Sequence, residues 1–172
     1  MTATTDRSVR IVTAGEGPRV FDLYDSPIGQ LLLVAQSGAL VELGLDEKAW
    51  SGGIDGLPRD PDALTAVRSE LDEYFAGVRQ TFTIAVALRG TPFQLQVWES
   101  LTAIPYGETA SYGAVAAAVG RPAAARAIGA ANHVNPVPIV VPCHRVIGAD
   151  GSLTGYGGGL DRKTFLLELE RG

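Results

Sequence analysis

The pattern of apolar residues changes at Arg89–Gly90, and this change constrains the architecture more than any other feature of the chain. Before it, short apolar runs are separated by turn residues, which is typical of an antiparallel meander. The elements predicted there are strands at 20–25, 30–35, 39–44 and 81–88 and a helix at 61–76. After it, helical spacing dominates. The sequence therefore predicts an α+β chain with an α/β scaffold domain at 1–89 and a second domain at 90–172.

Two segments of the first half lack a regular apolar pattern. Residues 1–19 are mixed and contain glycine and proline, so we expect a loosely held arm there. Residues 46–60 are polar and rich in glycine and proline, which predicts a loop.

The second half begins with a helix signal, because Thr91 is a good N-cap and Pro92 suits the first helical position. Ser111 caps a short helix predicted for 112–119, and Pro122 opens another that runs to about residue 132. Two short helices joined by a glycine-containing turn form a helix-turn-helix. A last helix is predicted with Asp161 as its N-cap.

The second helix of this pair is almost all alanine and glycine, with Arg126 as its one long cation. Such a bare surface is compatible with tight helix packing inside the protein or with close approach to another molecule. Within a helix-turn-helix, a projecting arginine favours nucleic acid.

Composition excludes several classes of protein. With 46% hydrophobic and 19% charged residues, the chain is typical of a globular protein, and no apolar run approaches the ~20 residues that span a bilayer. The first residues lack a signal-peptide pattern, so the cytoplasm is the expected location. One cysteine excludes an internal disulfide, and with only two histidines available no structural metal is expected, nor is a cofactor. The net charge of −5 comes from the first half, whereas residues 109–149 carry only arginines as formal charges.

The single cysteine lies in Pro142-Cys143-His144-Arg145-Val146, after an apolar run that predicts a strand at 139–141. A thiol beside an imidazole is a candidate activated nucleophile. The alternative is that Cys143 is a small buried hydrophobe. Glu170 supplies a carboxylate that would orient His144, with a water bridging to the thiol, although a C-terminal glutamate is usually just solvated. Asn135 and the amides of Tyr156 and Gly157 are further donors for the same pocket.

Ile139-Val140-Val141-Pro142-Cys143-His144-Arg145-Val146 resembles the active-site signature of the O6-alkylguanine-DNA alkyltransferases. The resemblance extends from about Thr91 to the C-terminus. The other motifs that carry it are Tyr106-Gly107-Glu108-Thr109-Ala110-Ser111-Tyr112, Ala124-Ala125-Arg126-Ala127-Ile128-Gly129, Asn135-Pro136-Val137-Pro138, Tyr156-Gly157-Gly158-Gly159-Leu160 and the Lys163 to Glu170 helix. Residues 1–90 fit the family only by layout.

The resemblance implies an RNase-H-like α/β domain followed by a winged helix-turn-helix domain that binds the minor groove of double-stranded DNA. It implies irreversible, single-turnover transfer of an alkyl group from flipped O6-alkylguanine, and O4-alkylthymine, to the protein, a DNA-repair methyltransferase activity. The implied catalytic residues are Cys143 as acceptor, His144, Glu170, Asn135 and Tyr112. The implied contacts to lesion and DNA are Arg126, Ala127, Arg145, Val146, Tyr156, Gly157 and Lys163. We expect a monomer in solution; clustering along DNA is left open.

Gly157 stands where some relatives carry a serine, which predicts a more open pocket. Some relatives bind zinc in the N-terminal domain, and this chain has no cysteine or histidine before His133 with which to copy that site. The alternatives are a lesion-binding protein without transfer, an alkylation-sensing regulator and a cysteine hydrolase. Cys143 argues against the first of these, because such relatives lack the acceptor.

Overall fold

A computed structural model of the chain describes residues 9–50 and 54–172 and contains a five-stranded sheet in the first half. The sheet has the order β1-β5-β4-β3-β2, with β1 at Arg10–Val12, β2 at Arg19–Ser26, β3 at Gly29–Gln36, β4 at Ala39–Gly44 and β5 at Ala85–Ala87. The predicted antiparallel meander of β2, β3 and β4 is confirmed.

The last strand, β5, joins the sheet in the opposite sense to the prediction, because it runs parallel to both β1 and β4. A parallel pair needs a long crossover between its strands. Helix α1 (Glu47–Trp50), the 3-10 turn Pro61–Leu64 and helix α2 (Thr65–Phe75) lie in this crossover. The sheet is therefore mixed, and the prediction of a purely antiparallel sheet was wrong at β5.

The segments predicted to be irregular are partly ordered. The arm prediction fails from residue 9 onwards, since β1 pairs with β5 and the side chain of Gln36 donates to the carbonyl of Gly17 over 2.6 Å. Residues 1–8 lie outside the described part. In the predicted 46–60 loop, α1 is helical and Arg59 bridges to Phe21, while residues 51–53 lie outside the described part.

The β-rich run at 81–88 forms a strand only over Ala85–Ala87, because a side chain takes the backbone amides that precede it. The Glu70 carboxylate on α2 accepts from the amides of Thr83 and Ile84 at 3.0 and 3.3 Å. Those amides no longer need a strand partner.

The second half is helical, as predicted, with a small parallel ribbon. It contains α3 (Pro92–Leu101), β6 (Ala110–Ser111), α4 (Tyr112–Ala118), α5 (Ala125–His133), β7 (Val146–Ile147) and α6 (Leu160–Arg171). The Thr91 cap of α3 and the Ser111 cap of α4 are confirmed. Two boundaries were wrong: α5 begins three residues after Pro122, and Gly159 is the N-cap of α6, with Asp161 inside its first turn.

One hydrophobic core joins the two halves. Buried side chains from Tyr24 through to Leu166 form a single cluster, and Leu43 on β4 donates its amide to the carbonyl of Pro136 at 2.8 Å. The β6–β7 ribbon ties the start of the helix-turn-helix to the segment after Cys143. In the described ranges, none of the helices has the length and apolarity needed to cross a bilayer.

Candidate active site

The segment before Cys143 is a tight turn and not the strand predicted at 139–141. Its amide at Val141 donates to the carbonyl of Val137 over 2.9 Å, and Ile139 has φ 73°, an uncommon conformation for a β-branched residue. Asn135 closes the turn from both sides: its amide nitrogen donates to the Val141 carbonyl at 2.8 Å, and its oxygen accepts from the Val137 amide at 3.0 Å. Asn135 thus fixes the chain that leads into Cys143.

Cys143 begins a 3-10 turn, Cys143–Arg145, and only 5% of its surface is exposed. Burial raises the pKa of its thiol to about 11, while the Asn135 side chain and the charge of Lys163 act in the opposite direction. The thiol is therefore protonated at neutral pH. Because the thiolate is the nucleophilic form, the site needs a base.

Glu170, on α6, brings the neighbours of Cys143 into one buried cluster. His144 Nε2 lies 2.7 Å from Glu170 Oε2, and Arg145 reaches both carboxylate oxygens, at 2.7 and 3.1 Å. Burial opposes ionisation of the carboxyl, but the contacts with His144 and Arg145 outweigh it and lower its pKa to about 2. Glu170 is thus a charged, fixed acceptor that holds His144 and Arg145, the two residues that follow Cys143.

His144 is fully buried, and burial lowers its pKa, so the imidazole is neutral at pH 7. With Nε2 facing Glu170, the proton of the neutral ring belongs on Nε2, and Nδ1 keeps a lone pair. This Nδ1 is buried and meets no hydrogen-bonding group of the described residues. The lone pair of Nδ1 is therefore free to accept a proton.

Arg145 occupies a different place from the one expected of a DNA contact. Its guanidinium is buried, donates to Glu170 and to the carbonyl of Ile104 at 2.7 Å, and lies over the ring of Tyr106. This arrangement favours a positioning role for Arg145, and it does not favour the contact to lesion or DNA that the resemblance implies for this residue.

Lys163 is completely buried in α6 and donates to the carbonyls of Val146 and Thr154 at 2.6 and 3.1 Å. Its ammonium also lies 6.0 Å from the centre of the Tyr112 ring. The Tyr112 hydroxyl donates to the same Thr154 carbonyl at 3.0 Å. Lys163 therefore links the segment after Cys143, the helix-turn-helix and the loop before α6.

A groove of about 500 Å³ lies beside this link. It is lined by Tyr112, Ala125, Arg126, Gly129, His133, Thr154 and Gly155. Arg126 and Ala127 are exposed on α5, which a contact with another molecule requires. Cys143 does not line the groove, but Lys163 connects Tyr112 on its wall to the surroundings of the thiol.

The loop with Tyr156 and Gly157 is held against the first half of the chain. The Tyr156 hydroxyl is buried, whereas Gly157 is exposed. Arg162 donates to the Gly158 carbonyl at 2.8 Å and to the Ile28 carbonyl at 2.9 Å, so it ties this loop to the β2–β3 turn.

Comparison with known proteins identifies the family of the chain. The family model described as the 6-O-methylguanine DNA methyltransferase DNA-binding domain matches residues 92–172, and the one described as the ribonuclease-like domain matches 20–88. A methylated-DNA–protein-cysteine methyltransferase of Mycobacterium bovis is 50% identical over 147 residues, 86% of this chain and 89% of that protein. The chain belongs to the O6-alkylguanine-DNA alkyltransferase family. Its membership confirms the resemblance and the fold class predicted from the sequence.

Solved alkyltransferases share the fold over almost the whole chain. The crystal structure of Mycobacterium tuberculosis O6-methylguanine methyltransferase gives a TM-score of 0.84 at 48% identity, covering 89% of this chain and 93% of that one. The Mycobacterium tuberculosis OGT in complex with DNA gives 0.82 at 48% identity, covering 88% and 92%. This alkyltransferase is therefore a DNA-binding methyltransferase of direct-reversal repair.

Sequence reasoning missed two residues that the structure brings to the alkyltransferase site. Arg162 ties down the Gly-rich loop, and Tyr74 on α2 donates its hydroxyl to Glu170 Oε2 at 2.6 Å. Tyr74 gave only an apolar signal, since it falls on the buried face of a predicted helix.

Proposed function

We propose that Cys143 is the acceptor in a one-step, irreversible transfer of an alkyl group from O6-alkylguanine in DNA. The observation that carries the assignment is a buried Cys143 thiol followed directly by a neutral His144. The Nε2 atom of this histidine is fixed by the ionised carboxylate of Glu170. The sulfur attacks the alkyl carbon, the bond from that carbon to O6 breaks, and its electron pair passes to the guanine. The resulting thioether is stable, so the protein reacts once.

The first requirement of this reaction is a thiolate. A water between the Cys143 sulfur and His144 Nδ1 would carry the proton from one to the other, because the adjacent side chains of one helical turn point in different directions. Glu170, held in place by Arg145, then stabilises the imidazolium that forms. Asn135 supports the sulfur, since its side chain favours the charged form of Cys143.

The second requirement is to neutralise charge on the leaving guanine. Tyr112 would turn its hydroxyl from Thr154 towards the ring nitrogen N3, and the amides of Tyr156 and Gly157 would donate to O6. The Cys143 and Val146 carbonyls would accept from the exocyclic amine. Lys163, which already donates to Val146, would keep this wall in place and so assist the lesion contacts.

The third requirement is access, because a base within the duplex cannot reach a buried thiol. We place α5 in the minor groove, with Arg126 filling the gap left by the flipped nucleotide and Ala127 allowing close approach. O4-alkylthymine is the second substrate by the same route. We assign a monomer as the reacting unit and leave clustering along DNA open. We place the protein in the reducing cytoplasm, where the acceptor stays a free thiol.

The direct test is incubation with an excess of duplex DNA that carries O6-methylguanine with a labelled methyl group. One label per protein molecule, stable to denaturation, supports the proposal. More than one lesion repaired per protein would indicate a hydrolase or true catalyst. Lesion binding without transfer would indicate the non-enzymatic alternative.

Arg126→Ala is expected to slow repair of duplex DNA roughly tenfold, equivalent to about 1.4 kcal/mol, because the flipped state loses the side chain that replaces the base. Transfer from free O6-benzylguanine needs no flipping and should keep its rate. Arg121→Ala is the matched control, since Arg121 is also exposed but lies over the Phe93 ring at 5.2 Å. Equal losses in both variants, or on both substrates, would contradict the assignment.

Gly157→Ser is expected to raise the rate for methyl adducts roughly fivefold, because a hydroxyl donor to O6 contributes about 1 kcal/mol. The rate for benzyl adducts should rise less, because the bulk of the new side chain narrows the pocket, so the methyl-to-benzyl ratio increases. The position accepts a side chain: a Cβ there would come no closer than 3.4 Å to the His133 carbonyl oxygen. Gly157→Ala adds the bulk without the donor. An unchanged methyl-to-benzyl ratio in Gly157→Ser removes the idea of a more open pocket.

A further inference from the structure

The active-site acid is contacted by a residue from the opposite half of the chain. Tyr74, on α2, is fully buried, and its hydroxyl donates to Glu170 Oε2 at 2.6 Å. This is the same oxygen that faces His144 Nε2 at 2.7 Å. One carboxylate oxygen therefore serves both the proposed base and a tyrosine that lies 96 residues away in the chain.

The ring of Tyr74 is held from three sides, so its hydroxyl has a fixed direction. Its ring centre lies 5.3 Å from that of Phe75, 5.4 Å from that of Phe82 and 6.3 Å from that of Tyr106. Packing alone would be served by a phenylalanine, because a buried hydroxyl costs free energy unless it is hydrogen-bonded. The bond to Glu170 meets that cost. Burial also raises the pKa of Tyr74, so the hydroxyl keeps its proton and acts as a donor throughout the working pH range.

We propose that Tyr74 is a positioning residue for alkyl transfer, through which the N-terminal half of the chain holds Glu170 and sets the basicity of His144. Its hydroxyl takes up part of the charge on Oε2, which limits how strongly that oxygen stabilises a protonated His144. It also fixes the carboxylate against rotation, together with the two bonds from Arg145.

Among the residues that the structure describes, few charged or titratable groups surround this pair. Those that face Glu170 or His144 are Arg145 from the 3-10 turn, Tyr74 from α2, Tyr106 from the segment before β6, Tyr156 from the loop before α6 and Lys163 from α6. Arg145 and Lys163 disfavour a second positive charge on His144. Of the three tyrosines, Tyr74 is the one whose hydroxyl is bonded to the carboxylate in the part of the chain described.

Removal of the Tyr74 hydroxyl should therefore act on His144. In Tyr74→Phe, Glu170 Oε2 accepts one hydrogen bond fewer, so its negative charge is less neutralised. That charge then stabilises the imidazolium of His144 more strongly, and His144 keeps its proton to a higher pH. The acid limb of the pH–rate profile should move to higher pH by roughly half a unit. The plateau rate should fall roughly fivefold, since Glu170 loses one of its anchoring bonds.

The experiment measures the rate of Cys143 alkylation by free O6-benzylguanine from pH 5 to 9, which removes DNA binding from the pH dependence. Tyr24→Phe is the matched control, because the Tyr24 hydroxyl also donates to a carboxylate at 2.6 Å, that of Asp72, outside the site. Thermal unfolding of both variants establishes that they are folded. A displaced acid limb in Tyr74→Phe, absent in Tyr24→Phe, supports the proposal.

An unmoved acid limb overturns it, whatever happens to the plateau rate, and so does an equal displacement in Tyr24→Phe. The proposal rests on the proposed function, and the two fail differently. A wild-type chain that never becomes alkylated overturns both, whereas a wild-type chain that reacts normally and a Tyr74→Phe variant with the same pH profile overturn only the role of Tyr74.

Discussion

Cys143→Ser should lose alkyl transfer completely while it keeps its affinity for DNA. The serine hydroxyl is far less acidic than the thiol, and the burial that raises the pKa of Cys143 to about 11 would raise that of a hydroxyl still further. The buried site would then hold a neutral, weakly nucleophilic oxygen. The measurement is label transfer from O6-methylguanine DNA over a long incubation.

Binding is the control for this variant. Cys143 does not line the groove and is 5% exposed, whereas the DNA contacts proposed for Arg126 and Ala127 are on α5. Fluorescence anisotropy with lesion-containing duplex should therefore give the same affinity for both proteins. Any transfer by Cys143→Ser would contradict the assignment of the acceptor, and loss of binding would show that the variant is misfolded.

His144→Gln should slow alkyl transfer by a factor on the order of 10²–10⁴, the range that a positioned general base contributes. Glutamine can still donate to Glu170, but it cannot take a proton from Cys143. In the wild type, the rate should hold from neutral pH down to below about 6.5 and then fall, since burial lowers the pKa of His144 from 6.5 and the protonated ring is not a base.

The pH profile of His144→Gln should have a different form. Without a base, the thiolate arises only by direct ionisation of Cys143, so the rate should rise with pH towards the pKa of about 11. Free O6-benzylguanine serves as substrate, so that changes in DNA binding do not enter. A variant that keeps the wild-type profile would contradict the role of His144 as base.

The sequence predicted the meander and the caps because these depend on neighbouring residues. Turn residues such as Ser37–Gly38 separate strands that pair with one another, and Thr91 caps the helix that follows it. The direction of β5 was missed because parallel pairing depends on the course of the crossover, and the pattern of apolar residues does not determine that course. The turn at 139–141 was missed because its residues are apolar and β-branched, whereas Asn135 decides its shape from outside.

The residues of the site likewise divide into those that the local sequence predicts and those that depend on contacts between distant parts of the chain. Cys143 and His144 are adjacent in sequence, and the helix that carries Glu170 was visible in its apolar spacing. The ion pair of Arg145 with Glu170 was not foreseen, because an arginine in a basic segment gives no sign that it will be buried. Tyr74 was beyond sequence reasoning, since its contact joins residues from the two halves of the chain and depends on how those halves pack.

The central claim is that Cys143 accepts one alkyl group and keeps it. Intact mass after one incubation with excess O6-methylguanine duplex, followed by mass mapping of the peptides, tests it most directly. The account predicts that the whole population gains one methyl group in place of one hydrogen, on the peptide that contains Cys143, and that the unmodified mass does not return on prolonged incubation. Repair of the lesion with the protein mass unchanged, or a methyl group on another residue, would contradict it.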